Sequence, residues 1–531
     1  MASHFLRPGG ETETEMIIST ASGQELQLLL RGYTQKPPPS TSVGETEEKI
    51  QPDGSLFEIG ANLFETLRGS SNLVFANSRN RVEFFADMLR KMCEEQQLPN
   101  EFWPHHGNLS KELREEAETA IKDKSRPVSI ICTSTLEMGI DIGSVLSIAQ
   151  VGVPPSVASM RQRLGRSGRK EGDPAILRIY IQEDESDINS DPSDCLRTGL
   201  VQTIAMIRLL LSKWFEPPPS GGLHLSTLVQ QILSLIAQYG GVTAAQAYNL
   251  LCPNGPFPLV GQQMFTDILR SLGGKRLIMQ ASDGLLLHGP LGERIVNHYS
   301  FYAAFTTPEE YRLVSGGSTL GTLPIDRAVA IDSLLIFGGR RWLVLEVDSA
   351  KKVIVLQPAK GGKAPIFGGE AGWIHDRIRQ EMFAVYMERS TPVFLDAQAK
   401  ELLAEARENF HRYGLAQTRI LPQGRTMYLF CWMGDRVMDT LAAMLRAKGM
   451  KADNEGIAVV VVNTSPDEIW DCLRALLKEG LPDTCELARS VENKICEKYD
   501  MFLTDALLCT ANAASKFDAE GALNWIKTIT N

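Results

Sequence analysis

A chain of 531 residues is too long for a single core, and its size implies three or four domains. Hydrophobic content of 43% and charged content of 22% are those of a globular protein, and no apolar run, "IAVVVVN" at 457–463 included, is long enough for a membrane helix. The net charge of −10 excludes a uniformly basic nucleic-acid binder, so any such contact must come from local patches. "MASHFLRPGGETETE" lacks the apolar core of a signal peptide and the acid-poor look of a transit peptide, and the nine scattered cysteines contain no C-x-x-C pair. These features predict a reduced, cytoplasmic protein with no zinc ribbon and no membrane partner.

Residues 14–183 alternate β-rich runs ("EMIIST", "SNLVFANS", "VSIICTST", "LSIAQVGV", "ILRIYIQE") with amphipathic stretches ("RVEFFADMLRKMCEEQ", "KELREEAETAIKD"), the first strand starting near Met16. Strands alternating with helices predict a parallel, doubly wound sheet. "TQKPPPSTSVGETEEKIQPDGS" is a polar, Pro-rich loop ahead of the second strand. An acidic loop, a helix and the linker "EPPPSGG" occupy 184–222. Over 223–300, three helical stretches precede a hairpin, "LIMQASDGLLLHG", with Asp283 and Gly284 at its turn, which is the winged-helix pattern. Residues 301–370 are β-rich and glycine-punctuated and predict a small antiparallel barrel. The remainder, 371–531, mixes helices with strands such as "TMYLFCW", an α+β region. The expected fold class is therefore α/β: one parallel-sheet lobe, a winged helix, a small β-barrel and an α+β C-terminal region.

The chemistry concentrates in "RQRLGRSGRK", residues 161–170, with five cationic side chains among ten positions. Arg163, Arg166 and Arg169 recur every third residue, so on a short helix they fan over one side and the following turn. A planar guanidinium that stays charged suits the negative charge spreading over a transferring γ-phosphoryl group. Read alone, such a run is equally a solvated basic face; its position decides. About thirty residues upstream the strand "VSIICTS" runs into Thr133, Ser134 and Thr135, and loops at the carboxyl ends of parallel strands are where α/β sheets bind ligands. Hydroxyls and amides there can hold a phosphate backbone, and Gly139 and Asp141 follow with a carboxylate for a ribose hydroxyl. "LVFANSR" is another strand ending in polar residues, Asn77, Ser78 and Arg79, and "PHHGNLSKELREE" places His106 and Gly107 ahead of a helix capped by Ser110. Capping and turn formation is the plainer role for several of these residues.

Taken in order and at this spacing, "F.NSR", "HHG.LS...R...E", "TSTLE.GIDIG" and "QR.GR.GR" resemble the second RecA-like lobe of superfamily 2 helicases. The wording "TSTLEMGIDIG…VGVPPSVASMRQRLGRSGR" is most similar to the Lhr (large helicase-related) type, and the resemblance continues through "LGERIVNHYSFYAAFTTPEEYRLV" and "RRWLVLEVDSAKKVIVLQPAKGGKAPIF". It implies that Arg166 and Arg169 act as arginine fingers on ATP, positioned by Gln162 and Arg163. Gly139 and Asp141 would face the nucleotide and couple it to the loop of Thr133, Ser134 and Thr135 on the nucleic-acid backbone, with Asn77, Ser78, Arg79, His106 and Gly107 nearby. In the expected barrel, Arg340, Arg341 and Trp342 combine cations with a ring, as single-strand binders do, although Trp342 on an alternating strand fits a core position equally. Trp373 is the second stacking candidate. The third helix of the expected winged helix has no cation before Arg270, so a wedge or scaffold role is expected there rather than base reading.

A complete helicase needs a first lobe with G-x-x-x-x-G-K-[ST] and an acidic box for Mg²⁺. The only Gly-Lys pairs, Gly274-Lys275 and Gly362-Lys363, lack the rest of that motif and follow the lobe. ATP and Mg²⁺ are therefore expected to be held mainly by a first lobe from another chain or from a missing part of the gene, leaving this chain inactive alone. The implied partner is nucleic acid, single-stranded DNA or a forked duplex, in repair-type translocation. The alternative is a non-catalytic nucleic-acid-binding or scaffold subunit that retains a helicase lobe.

Overall fold

The computed structural model describes residues 25–35, 54–107, 111–123, 125–137, 142–143, 145–169, 172–186, 190–218, 221–304, 310–315, 318–324, 331, 334–337, 340–349, 351–358, 373–491 and 493–530. They fall into two compact units, the first within 1–30, 60–151 and 161–180, the second within 31–59, 152–160 and 181–531. The expected strand at Met16, the Pro-rich loop over 36–53 and the cap Ser110 lie outside the described residues.

The first sheet uses β1 (Leu26–Thr34), β2 (Asn72–Ala76), β3 (Phe102–His105), β4 (Ser129–Cys132), β5 (Ser147–Val151) and β6 (Ala175–Glu183) in the order β1-β6-β5-β2-β4-β3. The pairings β2–β4, β2–β5, β3–β4 and β5–β6 are all parallel. Every residue of β2, β4 and β5 is buried, as strands covered on both faces must be. Sequence periodicity did not show β1, nor the helix α1 (Gly54–Leu67). Helix α2 (Arg79–Glu95) forms because Val82, Phe85, Ala86, Leu89 and Cys93 recur at helical spacing and are all buried. Ser78 begins it, its Oγ accepting from Arg81 N at 3.2 Å, a cap worth about 1 kcal/mol. Helix α3 (Lys111–Lys122) buries Ala117 and Ile121.

Register in this sheet is pinned by a polar ladder. Asn72 stands opposite both Ser129 and Ser147. Its Nδ2 donates to Ser129 Oγ at 3.0 Å and Leu67 O at 2.9 Å, and Ser147 Oγ donates to its Oδ1 at 2.7 Å. A one-residue slip of any of these strands would leave buried polar atoms unpaired, which costs about 1–3 kcal/mol each.

Helix α4 (Val157–Leu164) has its N-terminal half in the second unit and its C-terminal half in the first, and α5 (Thr198–Leu211) follows in the second. Helices α6 (Leu225–Tyr239), α7 (Ala244–Leu251) and α8 (Gln262–Gly274) accompany a three-stranded sheet of β7 (Val242–Thr243), β8 (Ile278–Gln280) and β9 (Leu285–His288) in the order β7-β9-β8. Thr243 and Gln246 form a reciprocal capping box on α7, and Asp283 and Gly284 turn the β8–β9 hairpin as expected. The core of this segment is completed by Tyr499, Leu503, Leu507 and Leu508, far along the chain.

The β-rich segment forms a five-stranded sheet of β10 (Glu310–Ser315), β11 (Ser318–Pro324), β12 (Leu334–Phe337), β13 (Arg340–Asp348) and β14 (Val353–Pro358), ordered β11-β10-β14-β13-β12. The expectation of purely antiparallel pairing is corrected inside the sheet, since β10 runs parallel to the central strand β14. Those two strands are separated by β11–β13 in the chain, so their pairing is a crossover, not a hairpin. Helices α9 (Asp376–Met387) and α10 (Ala397–Arg412) follow. An antiparallel sheet of β15 (Ile420–Gln423), β16 (Thr426–Leu429), β17 (Lys451–Asn454) and β18 (Val459–Val462) comes next, ordered β15-β16-β18-β17. It packs with α11 (Asp435–Ala447), α12 (Pro466–Glu479) and the last helix, Ala519–Thr530, around Met427, Leu441, Val461, Leu473 and Ile526. Helices and an antiparallel sheet thus share one core in this region.

Candidate nucleotide and nucleic-acid site

The strand order creates a switch point. From β2 the chain crosses towards β3, and from β5 it crosses the other way to β6, while β2 and β5 lie side by side. Such points are where parallel sheets open a crevice at their carboxyl ends. There Gln150 of β5 donates from Nε2 to Asn77 Oδ1 at 3.1 Å, just past the end of β2.

Gln150 in turn accepts from Arg163 Nη1. Arg163 is only 4% exposed. Its Nε and Nη2 donate to Glu137 Oε2 at 2.9 and 2.8 Å, and its guanidinium lies 4.5 Å from the centroid of the Phe75 ring. A buried charge this well paired holds its element in one position, so Arg163 acts within the lobe and does not reach a ligand. Arg166 is half-buried and donates from Nη2 to the Glu137 carbonyl at 3.0 Å. Arg169 is exposed, its Nε donating to Gly165 O at 3.0 Å, and Gln162 is exposed beside it. The turn between Arg166 and Arg169 needs glycine, because Gly168 has φ of +63°; Gly143, after the Gly139–Asp141 stretch, has φ of +76°.

The loop after β4 is held by a histidine. Thr133 begins a 3₁₀ turn over Ser134–Leu136. Thr135 Oγ1 lies 2.8 Å from His105 Nδ1, and His105 Nε2 lies 3.1 Å from Glu118 Oε1 on α3. With Glu118 accepting the Nε2–H, Nδ1 is the acceptor for the Thr135 hydroxyl. Burial pushes the His105 imidazole below its usual pKa, against the opposing effect of the Glu118 carboxylate.

The structure thus draws Asn77, Arg163 and Arg166 into one set of contacts through Gln150 and Glu137, and separately holds Thr135 on His105; Glu137, Gln150 and His105 are not among the candidates named from the sequence. Gln150 had a signal, a lone amide in the apolar strand "SIAQV". Glu137, inside "TSTLE", carries no local signal of its partner, and His106, the candidate among the two adjacent histidines, is buried like His105. Ser78 is occupied as a helix cap, Arg79 opens α2 half-buried, Ser134 is half-buried, and Gly107 is exposed in a turn. Gly139 and Asp141 lie outside the described residues, as do the side chains of Arg340 and Arg341, whose backbones open β13 opposite Phe337 and Ile336. Trp342 needs correction as a stacking residue. It is 5% exposed and packs with Tyr311, Leu313, Val344, Ile354 and Leu356, so no base can reach its face. Trp373 is 46% exposed.

Parts of the chain are similar to known proteins. Residues 56–171 match the helicase conserved C-terminal domain. A Mycolicibacterium smegmatis protein described as an Lhr helicase/probable uracil glycosylase is 23% identical over 292 residues, 50% of this chain and 18% of that protein. An ATP-dependent helicase Lhr-Core from Sulfolobus acidocaldarius is 35% identical over 119 residues, 22% of this chain and 14% of the other. Over part of its length this chain is similar to Lhr-type helicases. The structure of Mycobacterium smegmatis helicase Lhr bound to ssDNA and AMP-PNP matches 97% of this chain and 69% of its own, with a TM-score of 0.62 at 17% identity, which establishes a shared fold. The six-stranded sheet is accordingly of the fold seen in that helicase structure, and residues 56–171 are similar to the helicase conserved C-terminal domain. The stretches that match span less than a fifth of the length of these two curated relatives.

Proposed function

We propose that this chain is the C-terminal part of an ATP-dependent nucleic-acid helicase or translocase of the Lhr type acting on DNA. A lobe carrying the glycine-rich phosphate loop, a motif this sequence does not contain, completes the nucleotide site. The observation that carries the reading is the placement of three arginines with one anchor. Arg163 is buried on the Glu137 carboxylate, Arg166 is tethered to the Glu137 carbonyl, and Arg169 is exposed beyond them. In that arrangement Arg166 and Arg169 are the side chains that stabilise charge on the γ-phosphoryl group, and Arg163 with Gln162 positions them. The same Glu137 sits one turn from Thr133, Ser134 and Thr135, so closure on ATP shifts the loop that grips the strand. Gly139 and Asp141 belong between the two. Asn77, Ser78, Arg79, His106 and Gly107 line the neighbouring strand ends.

The wider organisation follows the same proposal. Residues 14–183 form the lobe and 184–222 the linker. A winged helix over 223–300 and a barrel-like domain over 301–370 guide the strand, and 371–531 form the associated region. Trp373, with its exposed ring, is the stacking residue for single-stranded DNA. In this reading Mg²⁺ arrives with ATP on the other lobe. Among the described residues no helix is long and apolar enough to cross a membrane.

The test is ATP hydrolysis by the purified chain with single-stranded DNA, alone and with a separately expressed Lhr-type first lobe. Hydrolysis is expected only with the added lobe, and Arg166→Ala is expected to lower it by about 10³-fold or more, the scale of an arginine finger. DNA binding without hydrolysis in either mixture would leave the non-catalytic binding subunit as the correct reading.

A further inference from the structure

Helix α4 carries Arg163 at its C-terminal end, and its N-terminal end is held by a residue outside the arginine motif. Val157 N donates to Glu216 Oε1 at 2.7 Å and Ala158 N to Oε2 at 2.9 Å, one carboxylate oxygen to each amide. Ser156 Oγ takes the next amide, Ser159 N, at 2.9 Å. A helix of eight residues is not stable by itself in water, and its unpaired first amides leave its position undetermined unless something satisfies them. A carboxylate does this best, because its charge also opposes the positive end of the helix dipole.

Glu216 is 59 residues beyond Val157, in the linker that leads into the three-helix segment. Pro217 and Pro218 follow it and restrict its backbone. On the other side, the Trp214 ring packs edge-on against His375 at 5.3 Å, and His375 caps α9 by accepting from Arg377 N. The linker is therefore packed on one side of the carboxylate and stiffened by proline on the other.

We propose that Glu216 is a positioning residue for the arginine segment: it fixes α4 along its axis and thereby links the linker to Arg163, Arg166 and Arg169. A shift of the linker, as when the downstream segment takes up a nucleic-acid strand, moves the carboxylate and the helix with it. The catalytic part of this inference rests on the motor reading above; the anchoring part does not.

The test compares Glu216→Ala and Glu216→Gln with the wild-type chain in two readouts. In hydrogen exchange, amides of residues 157–164 are expected to exchange about fivefold faster in Glu216→Ala, the scale of a lost cap, with Glu216→Gln in between and β2, β4 and β5 unchanged. In ATP hydrolysis with the added first lobe and single-stranded DNA, kcat is expected to fall by a similar factor while KM for ATP holds, again with Gln intermediate. Unchanged exchange in α4 overturns the anchor. Faster exchange with an unchanged kcat reduces Glu216 to a helix cap and overturns the coupling. A wild-type assembly that hydrolyses no ATP overturns the motor reading and the coupling with it, and the exchange data then decide the anchor alone.

Discussion

Arg163 in the first unit and Arg197 in the second are 4% and 3% exposed, and each pairs with a glutamate, at 2.8 Å to Glu137 and 2.7 Å to Glu405. Their surroundings differ. Arg197 sits at φ of +50° at the start of α5 and also binds Ser186 Oγ at 2.7 Å and the Asp184 carbonyl. All its partners fasten one loop to α10. Arg163 instead connects, through Gln150, to Asn77 at the end of a parallel strand, and its neighbours Arg166 and Arg169 lie progressively nearer the solvent. A buried arginine on a glutamate is thus no mark of function by itself. What distinguishes the first unit is that the polar chain leads out to strand ends and exposed cations.

The largest effects should come from breaking the buried pairs. Arg163→Ala is expected to cost about 3–5 kcal/mol in urea unfolding, since it strands Glu137 and Gln150 in the interior. Arg197→Ala should cost about half of that, because Glu405 is 39% exposed and recovers water. Equal losses, or a larger one at Arg197, would contradict this ranking. Next, Trp342→Ala should destabilise by about 3–5 kcal/mol as a large core truncation. Trp373→Ala should leave stability within about 0.5 kcal/mol and weaken single-stranded DNA binding by about 1–3 kcal/mol in a fluorescence titration. If Trp342→Ala were the variant that lost DNA affinity with its fold intact, the assignment of the two rings would be reversed.

A smaller effect is expected from pH. His105 has a folded pKa below its unfolded value, so the unfolded chain binds the proton more readily. Its contribution is fully present above about pH 6.5 and is lost as pH falls from there towards the folded value, by at most about 1.4 kcal/mol per unit. Melting temperatures between pH 7.5 and 5 should show a drop that His105→Gln flattens. The smallest expected change is in stability on Arg169→Ala, within about 0.5 kcal/mol, because the side chain is exposed. Loss of hydrolysis in that variant at unchanged stability would separate the exposed arginine from the buried one.

The sequence by itself determined the alternation of strands and helices that makes the parallel lobe, the three helices with an Asp-Gly hairpin, and the ordered motifs that carry the Lhr resemblance. These are local signals: side-chain period reports which face of an element is buried, and turn residues report where it ends. It did not determine which partner each buried polar group would find. Glu137 is 26 residues from Arg163, Glu216 is 59 from Val157 and Glu405 is 208 from Arg197, and no local period spans such distances. Whether Arg163 turns inward, whether Trp342 or Trp373 faces solvent, and that Tyr499 and Leu503 close the core of the three-helix segment were decided only by tertiary packing. The physical reason is the same in each case. Burying a charge or an indole is favourable only when a complementary group is already there, and which group that is depends on how the whole chain folds back on itself.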